Sequence, residues 1–152
     1  MKVLEFLEET NICLDLKSPS KEEAIRELVG FLETSSKIKN TDAVVTSLMD
    51  REKLGSTGIG QGVAIPHGKS DATPTLVAAL GISKKGIEFE ALDGEPVHVV
   101  FLLISPTDSS GQHLKVLARI SRLLKDKFFR QAIKEAKSAI EIQKIIREED
   151  DY

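Results

Sequence analysis

LVAALGIS, residues Leu76–Ser83, is the stretch that decides the fold. It is apolar almost without interruption, which is typical of a strand in a sheet that is covered on both faces. VHVVFLLIS (Val97–Ser105) has the same character, and further short strands are predicted at Ile12–Leu16, Val63–Ile65 and Ile87–Phe89. The sequence therefore predicts a central β-sheet.

Helical patterns stand before and after these strands. A capping box at Ser20 precedes a first amphipathic helix, and a second helix is expected from Thr41 to a stop at Gly55. The pattern is helical again from Gln112 onward. The apolar face predicted for that helix comprises Leu114, Leu117, Ala118, Ser121 and Leu124. Helices on both sides of a run of strands predict one α/β domain, with helices packed on a mixed sheet.

The composition limits the possible classes of function. The chain has 152 residues, of which 41% are hydrophobic and 30% charged, with a formal net charge of −3. Lys and Arg do not cluster into the basic surface that nucleic acids require, so no nucleic-acid partner is expected. The acid-interrupted N-terminus is unlike a signal peptide or a membrane span, and the single cysteine fits a reducing compartment. We therefore expect a cytoplasmic protein without direct membrane insertion.

GSTGIGQGVAIPHGKSD (Gly55–Asp71) is rich in glycine and has a single histidine near its end, yet it fits none of the common glycine motifs. Five residues separate Gly62 from the following Gly-Lys-Ser, where a P-loop has four. Gly58, Gly60 and Gly62 are followed by a strand instead of the helix of a dinucleotide-binding motif. A G-x-S-x-G nucleophile elbow is also missing from the sequence. Nucleotide cofactors and hydrolase chemistry are therefore not predicted, and no cofactor is expected.

The same segment predicts an anion site with a reactive histidine. Closely spaced glycines such as Gly58 and Gly60 let backbone N–H groups turn around an anion. The hydroxyls of Ser56 and Thr57 either add donors or only shape the turn. The preceding proline restricts the backbone before His67 and would hold its side chain at the mouth of the loop. Because a neutral imidazole is a good nucleophile, we expect capture of a phosphoryl group on a His67 nitrogen.

Two further residues are candidates for this site. Arg51 lies near the end of the second helix, and its guanidinium group can pair with phosphate oxygens. His113 lies at the start of a helix, where backbone donors and the helix dipole favour an anion. A metal site built from His67, His113 and Asp71 would lack any typical local ligand spacing, so no metal is predicted. His98 alternates within a strand and is predicted to be structural.

REKLGSTGIGQGVAIPHGK and GQHLKVLARISRLL resemble the enzyme IIA proteins of the bacterial phosphoenolpyruvate-dependent phosphotransferase system. The resemblance is to the fructose/mannitol type, which includes the nitrogen-regulatory IIA. It implies one EIIA type-2 domain over residues 1–152, with a mixed sheet of about five strands flanked by helices. It also implies a phosphotransferase component with a phosphohistidine intermediate at Nε2 of His67, in a site shared with Arg51 and His113.

The resemblance implies the partners as well. The phosphoryl donor would be the phosphohistidine of the histidine-containing phosphocarrier protein. In transport members the acceptor would be a cysteine of a IIB domain, whereas regulatory members would signal to target proteins through their phosphorylation state. The REKLGSTGIG and AIPHGK runs slightly favour the nitrogen-regulatory branch over a sugar-specific, fructose/mannitol-like component of a permease. A non-phosphorylated anion-binding regulatory module is a distant alternative.

Overall fold

A mixed β-sheet forms the centre of the protein, in a computed structural model that describes residues 2–150. Within these residues there are six strands: β1 (Ile12–Cys13), β2 (Gly58–Gly60), β3 (Val63–Ala64), β4 (His67–Lys69), β5 (Val77–Ile87) and β6 (Val97–Ser105). Their order is β1-β5-β6-β3-β2, and β4 also pairs with β6. The β5–β6 and β2–β3 pairs are antiparallel, whereas the β1–β5, β3–β6 and β4–β6 pairs are parallel. The prediction of a mixed sheet is confirmed.

Five α-helices flank this sheet in the described part of the chain. They are α1 (Lys21–Thr34), α2 (Thr41–Lys53), α3 (Ser110–Lys125), α4 (Lys127–Glu135) and α5 (Ala139–Asp150). Two short 3₁₀ turns, Val3–Glu5 and Glu9–Asn11, precede β1. None of the helices formed by residues 2–150 combines the length and the apolar character that crossing a membrane requires.

The sheet is covered on both faces, as the apolar strands predict. Ala78 and Leu80 of β5 pack with the 3₁₀ turns and with α3, α4 and α5. Val77 and Ala79 point the other way and pack with α1 and α2. Burying each large apolar side chain contributes about 1.5–3 kcal/mol, so the two clusters hold the layers together. Cys13 is buried in the second cluster.

Two predicted strands have different ends in the structure. β5 continues through two exposed lysines to Ile87, with an irregular register after Ile82. Of the separate strand predicted at Ile87–Phe89, Ile87 is the last residue of β5, Glu88 forms only an isolated bridge, and Phe89 lies in no strand. The sequence did not predict the continuation of β5, because the exposed lysines interrupt the apolar pattern while the backbone remains extended. β1 is shorter than the predicted Ile12–Leu16, although the amide of Leu16 still donates to the carbonyl of Ile82.

The predicted capping box of α1 is wrong. Ser20 does occupy the N-cap position, but its side chain makes no capping hydrogen bond. Ser20 pairs instead with Glu88 in an isolated parallel bridge, and the amide of Lys21 donates to the Glu88 carbonyl. A tertiary contact thus replaces the local cap. The end of α2 agrees with its prediction, since Gly55 follows it with a φ of 145°.

The buried face of α3 agrees only in part with the predicted one, since Leu124 is buried and Leu117 packs against the core as predicted. His113, Val116 and Ile120 face the core, whereas Leu114 is 65% exposed. Apolar residues occur at helical spacing on both stripes, so periodicity alone could not choose between them. On the buried stripe, His113 also forms a hydrogen bond inside the fold, with Ser105.

The sheet topology brings the two candidate histidines together. In the parallel pairing of β4 with β6, His67 lies opposite Leu103 and Lys69 lies opposite Ser105. The chain leaves β6 at Ser105 and begins α3 at Ser110. His67 and the first turns of α3 therefore lie at the same end of β6.

Candidate functional site

His67 is held by the backbone on either side of it. Its Nδ1 lies 2.7 Å from the carbonyl oxygen of Ile65, and the side chain is half-buried. A neutral ring can satisfy this carbonyl only by carrying its proton on Nδ1, which leaves a lone pair on Nε2. Gly68 lets α2 approach closely, because an added Cβ would meet the Ser47 hydroxyl at 2.8 Å. The strand that carries His67 is thus fixed from two directions.

His113 is the second imidazole of the site. Its ring centre is 5.7 Å from that of His67, with an angle of 53° between the ring planes. The side chain is only 4% exposed, and its Nδ1 lies 2.6 Å from the hydroxyl oxygen of Ser105. Burial, with smaller effects from His67 and Lys69, lowers the pKa of His113 from 6.5 to about 4. His113 is therefore a neutral side chain at pH 7.

Burial also lowers the pKa of His67, and the positive charge of Arg51 lowers it further. The hydrogen bond to Ile65 and the charge of Glu52 oppose this change without reversing it. A lowered pKa keeps the ring unprotonated at neutral pH, which a nitrogen nucleophile requires.

Two cations lie close to the imidazoles. Arg51, in the last turn of α2, donates from Nη1 to the carbonyl of Gly55 at 2.8 Å. Lys69 donates to the hydroxyl of Ser110 at 2.6 Å, beside the start of α3. Their electrostatic effects on His67 and His113, respectively, show that both charges act at the site. An anion between these groups would be stabilised by them.

Glu52 is a buried carboxylate beside the site that the sequence analysis did not single out. It is buried, pairs with Lys21 at 3.2 Å, and accepts hydrogen bonds from the amide and the hydroxyl of Thr57. The carbonyl of Thr57 then accepts the amide of Ile65, whose own carbonyl holds His67. The Arg-Glu pair in the sequence was the available signal, but only Arg51 was singled out from it.

The residues predicted to bind phosphate are mostly occupied by internal bonds. Ser56 donates to the carbonyl of Phe89 and accepts the amide of Gly58, while Thr57 donates to Glu52. Gly60 pairs with Val63 of β3, and the β6 partners of Val63 and His67 are Val99 and Leu103, about 13 Å apart at ~3.3 Å per residue. The structure therefore brings His67, His113 and Arg51 together, but uses Ser56 and Thr57 to shape the turn.

Apolar side chains are exposed on the segments that carry the site residues. Leu54 follows α2 directly after the Arg51 turn, and Leu114 follows His113. Leu54 is 85% exposed. Within residues 2–150, no three His, Cys, Asp or Glu side chains gather in a way that could hold a metal ion.

A paired-imidazole site at the end of a mixed sheet can be compared with known families. The family described as "Phosphoenolpyruvate-dependent sugar phosphotransferase system, EIIA 2" matches residues 5–149. The chain belongs to this EIIA 2 family. The resemblance found in the sequence is thereby confirmed over nearly the whole chain.

Relatives of this EIIA 2 protein carry two kinds of name. The fructose-specific EIIABC component of Bacillus subtilis is 37% identical over 99% of the chain, which spans 24% of that longer protein. The nitrogen regulatory protein of Bradyrhizobium diazoefficiens is 39% identical over 86% of the chain and 85% of that protein. The crystal structure of the nitrogen regulatory protein IIA-Ntr from Neisseria meningitidis has a TM-score of 0.86 and 36% identity, covering 93% and 97% of the two chains. The predicted α/β fold is therefore confirmed.

Proposed function

We propose that this EIIA 2 protein is a phosphocarrier whose His67 accepts a phosphoryl group on Nε2 from the histidine-containing phosphocarrier protein. The observation that carries the proposal is the pair of imidazoles with ring centres 5.7 Å apart. One ring has its Nδ1 bound to the Ile65 carbonyl, and the other is buried against Ser105. The proposal treats residues 1–152 as one EIIA domain.

The proposed step moves a phosphoryl group between two nitrogen atoms. The lone pair of His67 Nε2 attacks the phosphorus of the donor phosphohistidine. The nitrogen–phosphorus bond of the donor breaks, and its electron pair stays on the donor imidazole. The Nδ1 proton of His67 remains on the ring, where its hydrogen bond to the Ile65 carbonyl disperses the positive charge that the ring gains.

Transfer onward runs in the same way. An acceptor thiolate on a IIB domain forms a bond to phosphorus, and His67 leaves as a neutral imidazole. The name of the Bacillus subtilis relative joins A, B and C components in one protein, which supports a IIB acceptor for this chain. Regulatory target proteins are the alternative users of the phosphorylation state.

Stabilisation of the transition state is assigned to His113 and Arg51. Phosphoryl transfer passes through a loose transition state with charge on the equatorial oxygens, so positioned donors supply most of the catalysis. A neutral His113 has one N–H to donate, and Arg51 has a charged fork. In this proposal Ser56, Thr57, Gly58 and Gly60 support the loop, because the first three are bonded internally and Gly60 pairs with Val63 in a neighbouring strand.

The nitrogen-regulatory role is proposed first. It rests on the 39% identity to a nitrogen regulatory protein and on the IIA-Ntr structure. A sugar-specific role in a permease is the second candidate, since the fructose-specific relative matches 99% of the chain at 37% identity. The two roles share the chemistry at His67 and differ in the acceptor.

Phosphorylation from phosphoenolpyruvate tests the shared chemistry. The full chain is incubated with phosphoenolpyruvate, the first enzyme of the system and the histidine-containing phosphocarrier protein. We expect one acid-labile, base-stable phosphoryl group, which phosphorus NMR would place on an imidazole nitrogen. His67→Ala should remain folded and take up none. His98→Ala is the matched control, because its half-buried ring also has Nδ1 bound to a backbone carbonyl, that of Ser83.

The outcomes separate the candidates. Full labelling of His67→Ala would overturn the assignment of the nucleophile. An unlabelled wild-type chain that still binds inorganic phosphate would favour the anion-binding module. Incubating the phosphorylated chain with a fructose-type IIB domain then separates the branches, because rapid loss of label to the IIB cysteine favours the permease role.

A further inference from the structure

We propose that Ser105 is a positioning residue that holds His113 as the tautomer protonated on Nε2. The inference rests on the proposed function, in which His113 donates a hydrogen bond to the phosphoryl group on His67. It concerns a serine in β6 that the sequence analysis did not single out.

Ser105 is well placed to act on His113. Its side chain has no exposure to solvent, and its oxygen lies 2.6 Å from His113 Nδ1. Its backbone is fixed too, because it is the last residue of β6, lies opposite Lys69 in the sheet and accepts the amide of Ser70 at 2.9 Å. The hydroxyl therefore has a fixed origin, and the strand carrying His67 is attached to the same residue.

The direction of this hydrogen bond follows from a count of protons. A neutral imidazole has one N–H, and a hydroxyl has one O–H. Within residues 2–150, the Ser105 side chain has no hydrogen-bond partner other than His113. If His113 donated from Nδ1, the buried Ser105 proton would lack an acceptor, which is unfavourable. If Ser105 donates, its proton has an acceptor in His113 Nδ1, and the only N–H of the ring is on Nε2.

The tautomer matters for the proposed chemistry. With Nε2 protonated, His113 presents a donor to the oxygens of a phosphoryl group. With Nδ1 protonated instead, Nε2 presents a lone pair to the phosphoryl group, and the negative charge of that group repels it. Ser105 thus acts on the transfer through His113 and does not touch the phosphoryl group itself. Loss of one donor to developing charge commonly lowers the rate by roughly 10²–10³-fold, and a partial loss of the right tautomer lowers it less.

The test combines nitrogen-15 NMR of the histidine rings with single-turnover transfer. In the full wild-type chain at pH 7, His113 should show Nε2 protonated and Nδ1 as the acceptor. In Ser105→Ala the ring should become a mixture of tautomers, and transfer into and out of His67 should slow by about tenfold or more. Ser105→Thr keeps the hydroxyl and should recover the tautomer and much of the rate.

A second serine provides the matched control. Ser83 is also buried in a strand, and its hydroxyl accepts the amide of Gly86 instead of contacting His113. Ser83→Ala removes the same atoms from the other end of the sheet, so it should leave the His113 tautomer and the transfer rate unchanged. This control separates a local effect on His113 from a general loss of stability.

Three results would overturn the inference. The first is a wild-type His113 protonated on Nδ1, and the second is a Ser105→Ala variant with an unchanged tautomer. The third is a changed tautomer with unchanged transfer, which leaves Ser105 a purely structural residue. A wild-type chain that takes up no phosphoryl group overturns the proposed function itself, and with it the role of Ser105 in transfer, whichever tautomer the spectra show.

Discussion

The buried carboxylate of Glu52 is connected to the imidazole of His67 through two intervening residues. Glu52 holds the amide and hydroxyl of Thr57, the carbonyl of Thr57 accepts the amide of Ile65, and the carbonyl of Ile65 accepts His67 Nδ1. The orientation of the proposed nucleophile therefore depends on an ion pair between two helices.

Glu52→Ala should destabilise the protein strongly. Within residues 2–150, the substitution leaves the ammonium of Lys21 with Glu90 at 3.4 Å as its remaining ion-pair partner, and it removes the acceptor of Thr57. Breaking a buried pair from one side costs about 3–5 kcal/mol, and Glu90 should reduce that value. Urea unfolding gives the change in free energy of unfolding.

Asp42→Ala is the control for the Glu52 substitution. It removes the exposed pair with Arg26, which should cost about 1 kcal/mol or less. Equal losses for the two variants would show that the buried network contributes no more than a surface pair.

Acid should destabilise the fold through His113. The folded pKa of His113, about 4, lies below its ordinary 6.5, so the unfolded chain binds the proton more readily. Stability is therefore greatest above pH 6.5 and falls as the pH drops towards 4. The loss from this residue should be about 2 kcal/mol by pH 5 and about 3 kcal/mol in full. His67 adds a loss of the same sign.

His113→Gln should flatten this dependence. Urea unfolding of both proteins at pH 7 and pH 5 measures it, because glutamine does not titrate in that range. If wild type and variant lose the same stability on acidification, other groups dominate the effect.

Gly58→Ala should destabilise the protein by about 1–3 kcal/mol through overpacking. The added methyl group would lie 2.9 Å from Cβ and 3.0 Å from Cα of Ala91, so the backbone must move. Gly111→Ala is the matched control, since nothing lies within 4 Å of its added Cβ. Gly111 lies in α3, and alanine has a higher helix propensity than glycine. Thermal melting should show a lower midpoint for the first variant and an equal or higher one for the second.

Leu114→Ser should separate docking from stability. Because Leu114 is 65% exposed, the substitution should change the free energy of unfolding by less than about 0.5 kcal/mol. Its position beside His113 predicts a higher Michaelis constant for the phosphorylated donor protein. Val116→Ala, on the buried stripe, should lower the free energy of unfolding and leave the Michaelis constant unchanged. A wild-type Michaelis constant in Leu114→Ser would exclude this residue from the docking surface.

Local patterns were sufficient to predict β6, α2 and a restrained position for His67. Each of these depends on residues that are close in sequence: an apolar run, a helix that stops at glycine, and a proline before a histidine. The buried stripe of α3 and the buried contacts of Glu52 were not predictable in this way. His113 meets Ser105 only after a strand, a turn and a helix have packed, and Glu52 meets Lys21 from a different helix.

The placement of His67 on β4 has a consequence for how related chains can vary in length. Neighbouring residues of a strand point to opposite faces, so one extra residue between Val63 and His67 would turn the imidazole away from His113. An extra residue at the exposed turn around Gly94 would only lengthen a loop. Over evolution, insertions should therefore collect at such turns, whereas the spacing from Val63 to His67 should stay fixed wherever the phosphoryl chemistry is kept.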